Sequence, residues 1–270
     1  MKNVRNYFLF IFIIAGTISC NDDEEIRLTK ENGKPSFIKF DEYDGDIYFY
    51  YEGNHITQII EEKGAIINFK YINDELASLS MRPTDKEMPD GNVFIEFKKE
   101  DNKIIVESTV DPFFDTIIKE IELDENNIPI KITDKGLYHR EEKLEDGAYY
   151  SVLLFDPKTK NLIKEETFDI ATSQLIATRT YQYENTPGIF SKTDFPLWFY
   201  AYQNQNYYHF SLRYYIIYFN YSNNISNMII EDSRYNNIEK INYNYNYNKD
   251  GFPISIQINT SNKQTMSVKY

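Results

Sequence analysis

The sequence predicts an all-β protein: an extended antiparallel meander, strongly twisted and curling toward a half-barrel, with at most one short helix. Two observations predict it. Past residue 36 the dominant hydrophobic period is two, the period of a half-buried strand. The apolar runs are separated by short clusters of Asn, Asp and Gly, which tolerate turn and left-handed backbone. A sheet of more than about ten twisted strands curls.

The chain begins differently. Lys2 and Arg5 precede an apolar run, Phe8-Leu9-Phe10-Ile11-Phe12-Ile13-Ile14, inside the stretch from Tyr7 to Gly16. Roughly ten apolar residues fall short of the twenty or so that a membrane-spanning helix needs, and they suit the core of an export signal. Thr17-Ile18-Ser19-Cys20 follows, and Cys20 is the single cysteine of the chain. These residues resemble the signal of bacterial lipoproteins, with Thr17 where Leu is usual. The resemblance implies cleavage before Cys20 and lipid on its sulfur and new amino group. Asp22, Asp23, Glu24 and Glu25 come next. They resemble the acidic export signal by which Bacteroidota send lipoproteins to the outer face of the outer membrane, and they also read as a solvated tether of like charges. The predicted organisation is a signal peptide over 1–19, a lipidated Cys and acidic tether over 20–36, and one β-hairpin-rich domain over 37–270. Several buried acyl chains anchor stably without a transmembrane helix.

Composition narrows the partners. There are 29 basic and 42 acidic residues, and loss of Lys2 and Arg5 with the signal takes the net charge from −13 to −15. Such a surface repels nucleic acid, so none is expected as a partner. With Cys20 lipidated, no thiol remains for a disulfide or a thiolate metal site.

Element by element, Ile67, Phe69 and Tyr71, then Val93, Ile95 and Phe97, then Ile128, Ile130 and Ile132 mark apolar strand faces. Asn73-Asp74, Asp101-Asn102, Glu125-Asn126-Asn127, Asp156 to Thr159, Asn223-Asn224, Asn236-Asn237 and Lys249-Asp250-Gly251 mark turns. The last hairpin is the clearest. In Ile241 to Asn248 every Tyr falls on one face and every Asn on the other, and Ile254, Ile256 and Ile258 return opposite the tyrosines. The Asn face reads as solvent-facing, as a ligand-facing ladder, or as an aggregation hazard held by neighbouring strands. This hairpin, with Tyr50 to Ile59 and Phe69 to Leu76, resembles the hairpins of YD-repeat-like proteins. More closely, it is similar to Bacteroidota surface lipoproteins of unknown function.

One stretch departs from the pattern, Pro187 to Tyr202. Asp194 is positioned to cap a short helix starting near Pro196, with Leu197, Trp198 and Tyr200 or Ala201 toward the sheet. It reads as a hydrophobic plug over one face or end of the sheet, or as an aromatic ligand platform.

Chemistry-bearing motifs are sparse. His55, His139 and His209 are isolated, and no nucleophile elbow, phosphate loop or dinucleotide fingerprint is present. Glu141-Glu142 and Glu165-Glu166 read as solvated strand edges. Neither a cofactor nor a metal is expected, and no catalytic role is assigned. The remaining signal is tyrosine: 15 of 24 lie from Tyr181 onward. Phenols beside amides suit sugar stacking and adaptable protein contacts. The sequence therefore points to a non-enzymatic envelope protein on the cell exterior. It would hold to outer-membrane lipid through Cys20 and bind a glycan or an envelope protein through a surface that includes Trp198, Tyr200, Tyr202, Tyr207 and Tyr208. The alternatives are a structural or lipophilic-carrier half-barrel and a hydrolase with an unrecognised site.

Overall fold

The computed structural model describes residues 33–41, 45–84, 92–111, 115–139, 142–205, 222–260 and 263–270. Cys20, the acidic run Asp22 to Glu25, Tyr207, Tyr208 and His209 lie outside them. The first nine strands are β1 (Phe37–Phe40), β2 (Asp46–Glu52), β3 (His55–Glu61), β4 (Ala65–Ile72), β5 (Glu75–Pro83), β6 (Asn92–Glu100), β7 (Lys103–Asp111), β8 (Asp115–Leu123) and β9 (Pro129–His139). Four more follow, β10 (Glu142–Asp146), β11 (Tyr149–Phe155), β12 (Leu162–Asp169) and β13 (Leu175–Pro187), then the helix α1 (Leu197–Gln205). The chain ends with β14 (Asn223–Asp232), β15 (Asn237–Tyr247), β16 (Pro253–Asn259) and β17 (Lys263–Lys269).

The meander in chain order is present, but the sheet closes instead of stopping at a half-barrel. β1 pairs antiparallel with both β2 and β17, and β9 pairs with β11, so sixteen antiparallel strands form a ring. Closure removes the two free edges that a curled sheet would expose. β10 stands outside the ring as a hairpin partner of β9 alone. At that branch Gly136 has φ 115°, and a Cβ there would fall 2.1 Å from the Glu145 carbonyl oxygen.

Turn chemistry sets the register. Asn73 and Asp74 both take positive φ, 52° and 63°, the left-handed pair that matches hairpin twist. The Asp124 side chain accepts from the backbone of Asn126 and Ile128, and Asp156 from Lys158 and Thr159. Asn223-Asn224, expected as a turn, instead opens β14.

Bulges correct two of the predicted faces. Between Glu122↔Lys131 and Leu123↔Pro129 the ladder skips Ile130, which turns outward at 42% exposure. Ile254 is skipped in the same way where Tyr247 faces Pro253. A bulge flips the alternation of every later residue, which a strict period of two cannot anticipate.

The core lies inside the ring. Ile38, Ile59, Ile67, Ile95, Ile121, Ile132, Ile256 and Met266 all point inward and are buried. Eight strands enclose a space that side chains fill, whereas about sixteen leave a channel. Here the β13–β14 connection supplies the filler. Trp198, Phe199, Tyr200, Ala201 and Tyr202 are 9, 2, 5, 0 and 2% exposed. A helix buried on all sides is an interior element and not a lid on an outer face. Phe69 meets Phe195 at 5.2 Å, Phe97 meets Trp198 at 4.9 Å, and Phe49 meets Phe190 at 5.2 Å. The plug's root is clamped by amides. Asn161 donates from Nδ2 to Asn223 (2.9 Å) and accepts from the Ser222 backbone (3.0 Å), while Asn224 donates to the Pro187 carbonyl (2.7 Å).

Candidate functional site on the outer wall

Tyr and Asn separate as the period of two requires. On β15, Tyr243, Tyr245 and Tyr247 face inward, where Tyr243 and Tyr245 oppose Ile258 and Ile256. Asn242, Asn244 and Asn246 face outward and are exposed. Their cross-strand neighbours are also neutral and polar. Asn242 lies between Asn227 and Asn259, Asn244 lies beside Gln257 and then Thr265, and Asn246 lies beside Ser255 and then Ser267. Asn227 donates from Nδ2 to Asn242 Oδ1 at 2.7 Å. The middle of the outer wall of β14–β17 is thus a lattice of amides and hydroxyls, with exposed Glu231, Ile238 and Ile254 toward its ends; strands lie about 4.8 Å apart and like-facing side chains about 6.8 Å apart along each strand.

Phenols border the lattice. Through β1 the wall continues to β2, whose outward side chains include Tyr48 and Tyr50, both half-buried. The Tyr48 ring packs 5.4 Å from Phe37, and its hydroxyl donates to Glu62 (3.1 Å). Partial burial raises the pKa of both phenols, with the Glu62 carboxylate adding to the effect at Tyr48, so both remain neutral donors. Neutral hydrogen-bonding groups beside half-exposed rings make a surface suited to hydroxyl-rich ligands.

The rest of the wall differs. On β6–β9, Lys98 pairs with Glu107 (2.7 Å), Lys103 with Glu120 (3.1 Å) and Lys131 with Glu122 (3.3 Å), all facing outward. A strand face in contact with lipid carries an apolar band, and a Lys at its midplane costs about 2–4 kcal/mol. On this barrel the buried core is apolar, and the outward face mixes these ion pairs with exposed Phe94, Ile130, Val152 and Leu154. No described helix is long and apolar enough to cross a membrane.

A second polar cluster faces the lumen. Glu165, 1% exposed, accepts from Ser151 (3.2 Å) and from Arg179 (2.9 Å), and Ser151 and Thr167 share a hydrogen bond (2.8 Å). Glu165-Glu166 is therefore not a solvated pair, since only Glu166 faces water, bonded to Lys164 at 2.7 Å. Lys119 lies inside as well, 5.7 Å from the centre of the Tyr202 ring. Burial lowers its pKa to about 8, against the opposing pull of Asp134 and Glu165. Of these residues, Lys119 reaches the plug helix, through its contact with Tyr202.

The sequence-predicted binding residues do not gather on a surface. Trp198, Tyr200 and Tyr202 are in the plug, and Tyr207 and Tyr208 are outside the described residues. The lattice was present in the sequence as the Asn face of the last hairpin, but its extension across β14, β16 and β17 depends on register. His55, stacked 4.2 Å from Tyr71, and His139, 2.9 Å from Asp115, sit at opposite rims. Among the described residues no three His, Cys, Asp or Glu side chains gather in a group able to hold a metal ion.

No protein-family model matches the chain, and no curated protein matches it. Among solved structures it is similar to a porin-like protein from Bacteroides vulgatus, at 9% identity over 88% of this chain and 99% of that one, with a TM-score of 0.44. It is also similar to a porin-like protein from Bacteroides uniformis, at 12% identity over 87% of this chain and 96% of that one, with a TM-score of 0.40.

Proposed function

We propose that this protein is a non-enzymatic, lipid-anchored component of the outer membrane. Acylated Cys20 and its acidic tether hold it on the cell exterior, and it binds glycan through the outer wall of β14–β17 and β1–β2. The observation that carries the reading is the lattice itself. In a chain with 26% charged residues, neighbouring strands place Asn227, Asn242, Asn244, Gln257, Asn259, Thr265 and Ser267 side by side on one face, with Tyr48 and Tyr50 on β2, across β1 from them. Amides and hydroxyls pair with sugar hydroxyls in either donor or acceptor sense, and phenol rings offer apolar faces to sugar rings. A polar wall is consistent with a domain standing in water on a lipid tether. The alternative of an acyl-chain carrier would require the ligand to displace a plug already packed on Phe49, Phe69 and Phe97.

The test is a glycan array probed with the full chain in mild detergent, wild type against the triple variant Asn242→Ala, Asn244→Ala, Gln257→Ala. Wild type is expected to bind a defined subset of glycans, and the variant to lose about tenfold or more in affinity with an unchanged melting temperature, since exposed substitutions shift stability by only about 0.5 kcal/mol. Equal binding by both proteins counts against the lattice as the site.

A further inference from the structure

On the strands of this wall outward lysines outnumber outward carboxylates: Lys39, Lys240, Lys263 and Lys269 stand against Glu231 on β14 and Asp46 on β2. The outward positions of β15, β16 and β17 include Lys240, Lys263 and Lys269, and none of them is a carboxylate. The acidic residue of these strands, Glu239, faces inward opposite Ile230. Lys39 continues the series on β1 beside Ser267, with Asp46 as its 3.6 Å partner. This occurs on a chain of net charge −13, whose opposite wall mixes both signs in ion pairs. We propose that the glycan taken by this wall is an acidic polysaccharide, one bearing carboxylate or sulfate groups. The inference rests on the glycan reading above and adds the ligand's charge class.

Geometry favours a polymer over a single sugar. Lys263 and Lys269 stand six residues apart on the same face of β17, about 20 Å along the strand, and Lys240 flanks the upper end of the lattice two strands away. A polymer laid on the wall spans several sugar rings between its contacts with lysines, and the neutral amides and hydroxyls between those points meet the ring hydroxyls. The wider protein field repels a polyanion at long range, but repulsion beyond roughly 8 Å is screened at physiological salt while contact pairs persist. The acidic remainder thus confines the polymer to this one wall.

Affinity electrophoresis of the full chain in mild detergent tests this, with gels containing dextran, dextran sulfate or polygalacturonate. The inference predicts retardation by the two acidic polymers exceeding that by dextran about tenfold, the sum of three weak exposed ion pairs. It predicts loss of that excess in Lys240→Gln, Lys263→Gln, Lys269→Gln and in high salt, and no loss in Lys98→Gln, Lys103→Gln on the opposite wall. Retardation by dextran equal to that by its sulfate, with the triple lysine variant unchanged, overturns the acidic class and leaves glycan binding standing. Retardation of wild type and triple variant alike by the acidic polymers also overturns it. Absence of retardation in every gel, with no glycan bound on the array, overturns both.

Discussion

At the scale of single residues, the interior ion cluster shows what burial demands. Glu165 is held by Arg179 and Ser151 inside a largely apolar core. Glu165→Ala leaves Arg179 buried without this partner, and breaking a buried pair from one side costs about 3–5 kcal/mol. A urea melt should show that loss. Lys119 makes the complementary prediction for pH. Its pKa in the fold, about 8, lies below the ordinary lysine value of 10.5, because burial disfavours its charged form. Between these values the unfolded chain holds more protons than the native one, so this group's contribution to stability rises with pH across that window and is least favourable below it. Melting curves of wild type and Lys119→Met should therefore converge, or cross in favour of wild type, as pH rises from about 8 to about 10.5. Parallel curves through that window would remove Lys119 as a buried charge. The sequence placed Glu165 on a solvated edge and did not single out Lys119, because a period of two assigns each to a face without saying that the face closes on itself.

At the scale of elements, the strands and most turns were legible and the bulges were not. Val93-Ile95-Phe97 and Tyr243-Tyr245-Tyr247 face inward as their alternation predicts, and Asn73-Asp74 and Lys249-Asp250-Gly251 make the turns their chemistry predicts. Ile130 and Ile254 face outward because one residue is skipped in each ladder, and nothing local marks that skip. The helix was visible as a break in pattern, and its position inside the ring follows from closure. A half-barrel has an open side against which Trp198 and Tyr200 would lie half-exposed, whereas a ring of sixteen strands needs something to fill it. The plug is thus part of the core, and Trp198→Ala should cost about 3–5 kcal/mol, as deletion of a large buried aromatic does. A thermal melt checks this, and a change within 0.5 kcal/mol would mean that the helix is not packed against Phe97.

At the scale of the whole molecule, the barrel packs an apolar core around a plug, while its outer wall has one face of amides edged by lysines and another lined with ion pairs. The proposed glycan site requires that water and ligand reach the wall of amides. Site-directed labelling on intact cells measures that directly. In the full chain, with Cys20 blocked by the proposed acylation, Asn244→Cys and Tyr243→Cys each introduce one free thiol on adjacent residues of β15, and the unsubstituted chain serves as the blank. A membrane-impermeant maleimide should label Asn244→Cys and leave Tyr243→Cys unlabelled. Protection of Asn244→Cys on cells and in detergent-free extracts, or labelling of Tyr243→Cys in its place, would contradict a barrel whose amide wall faces water at the cell exterior.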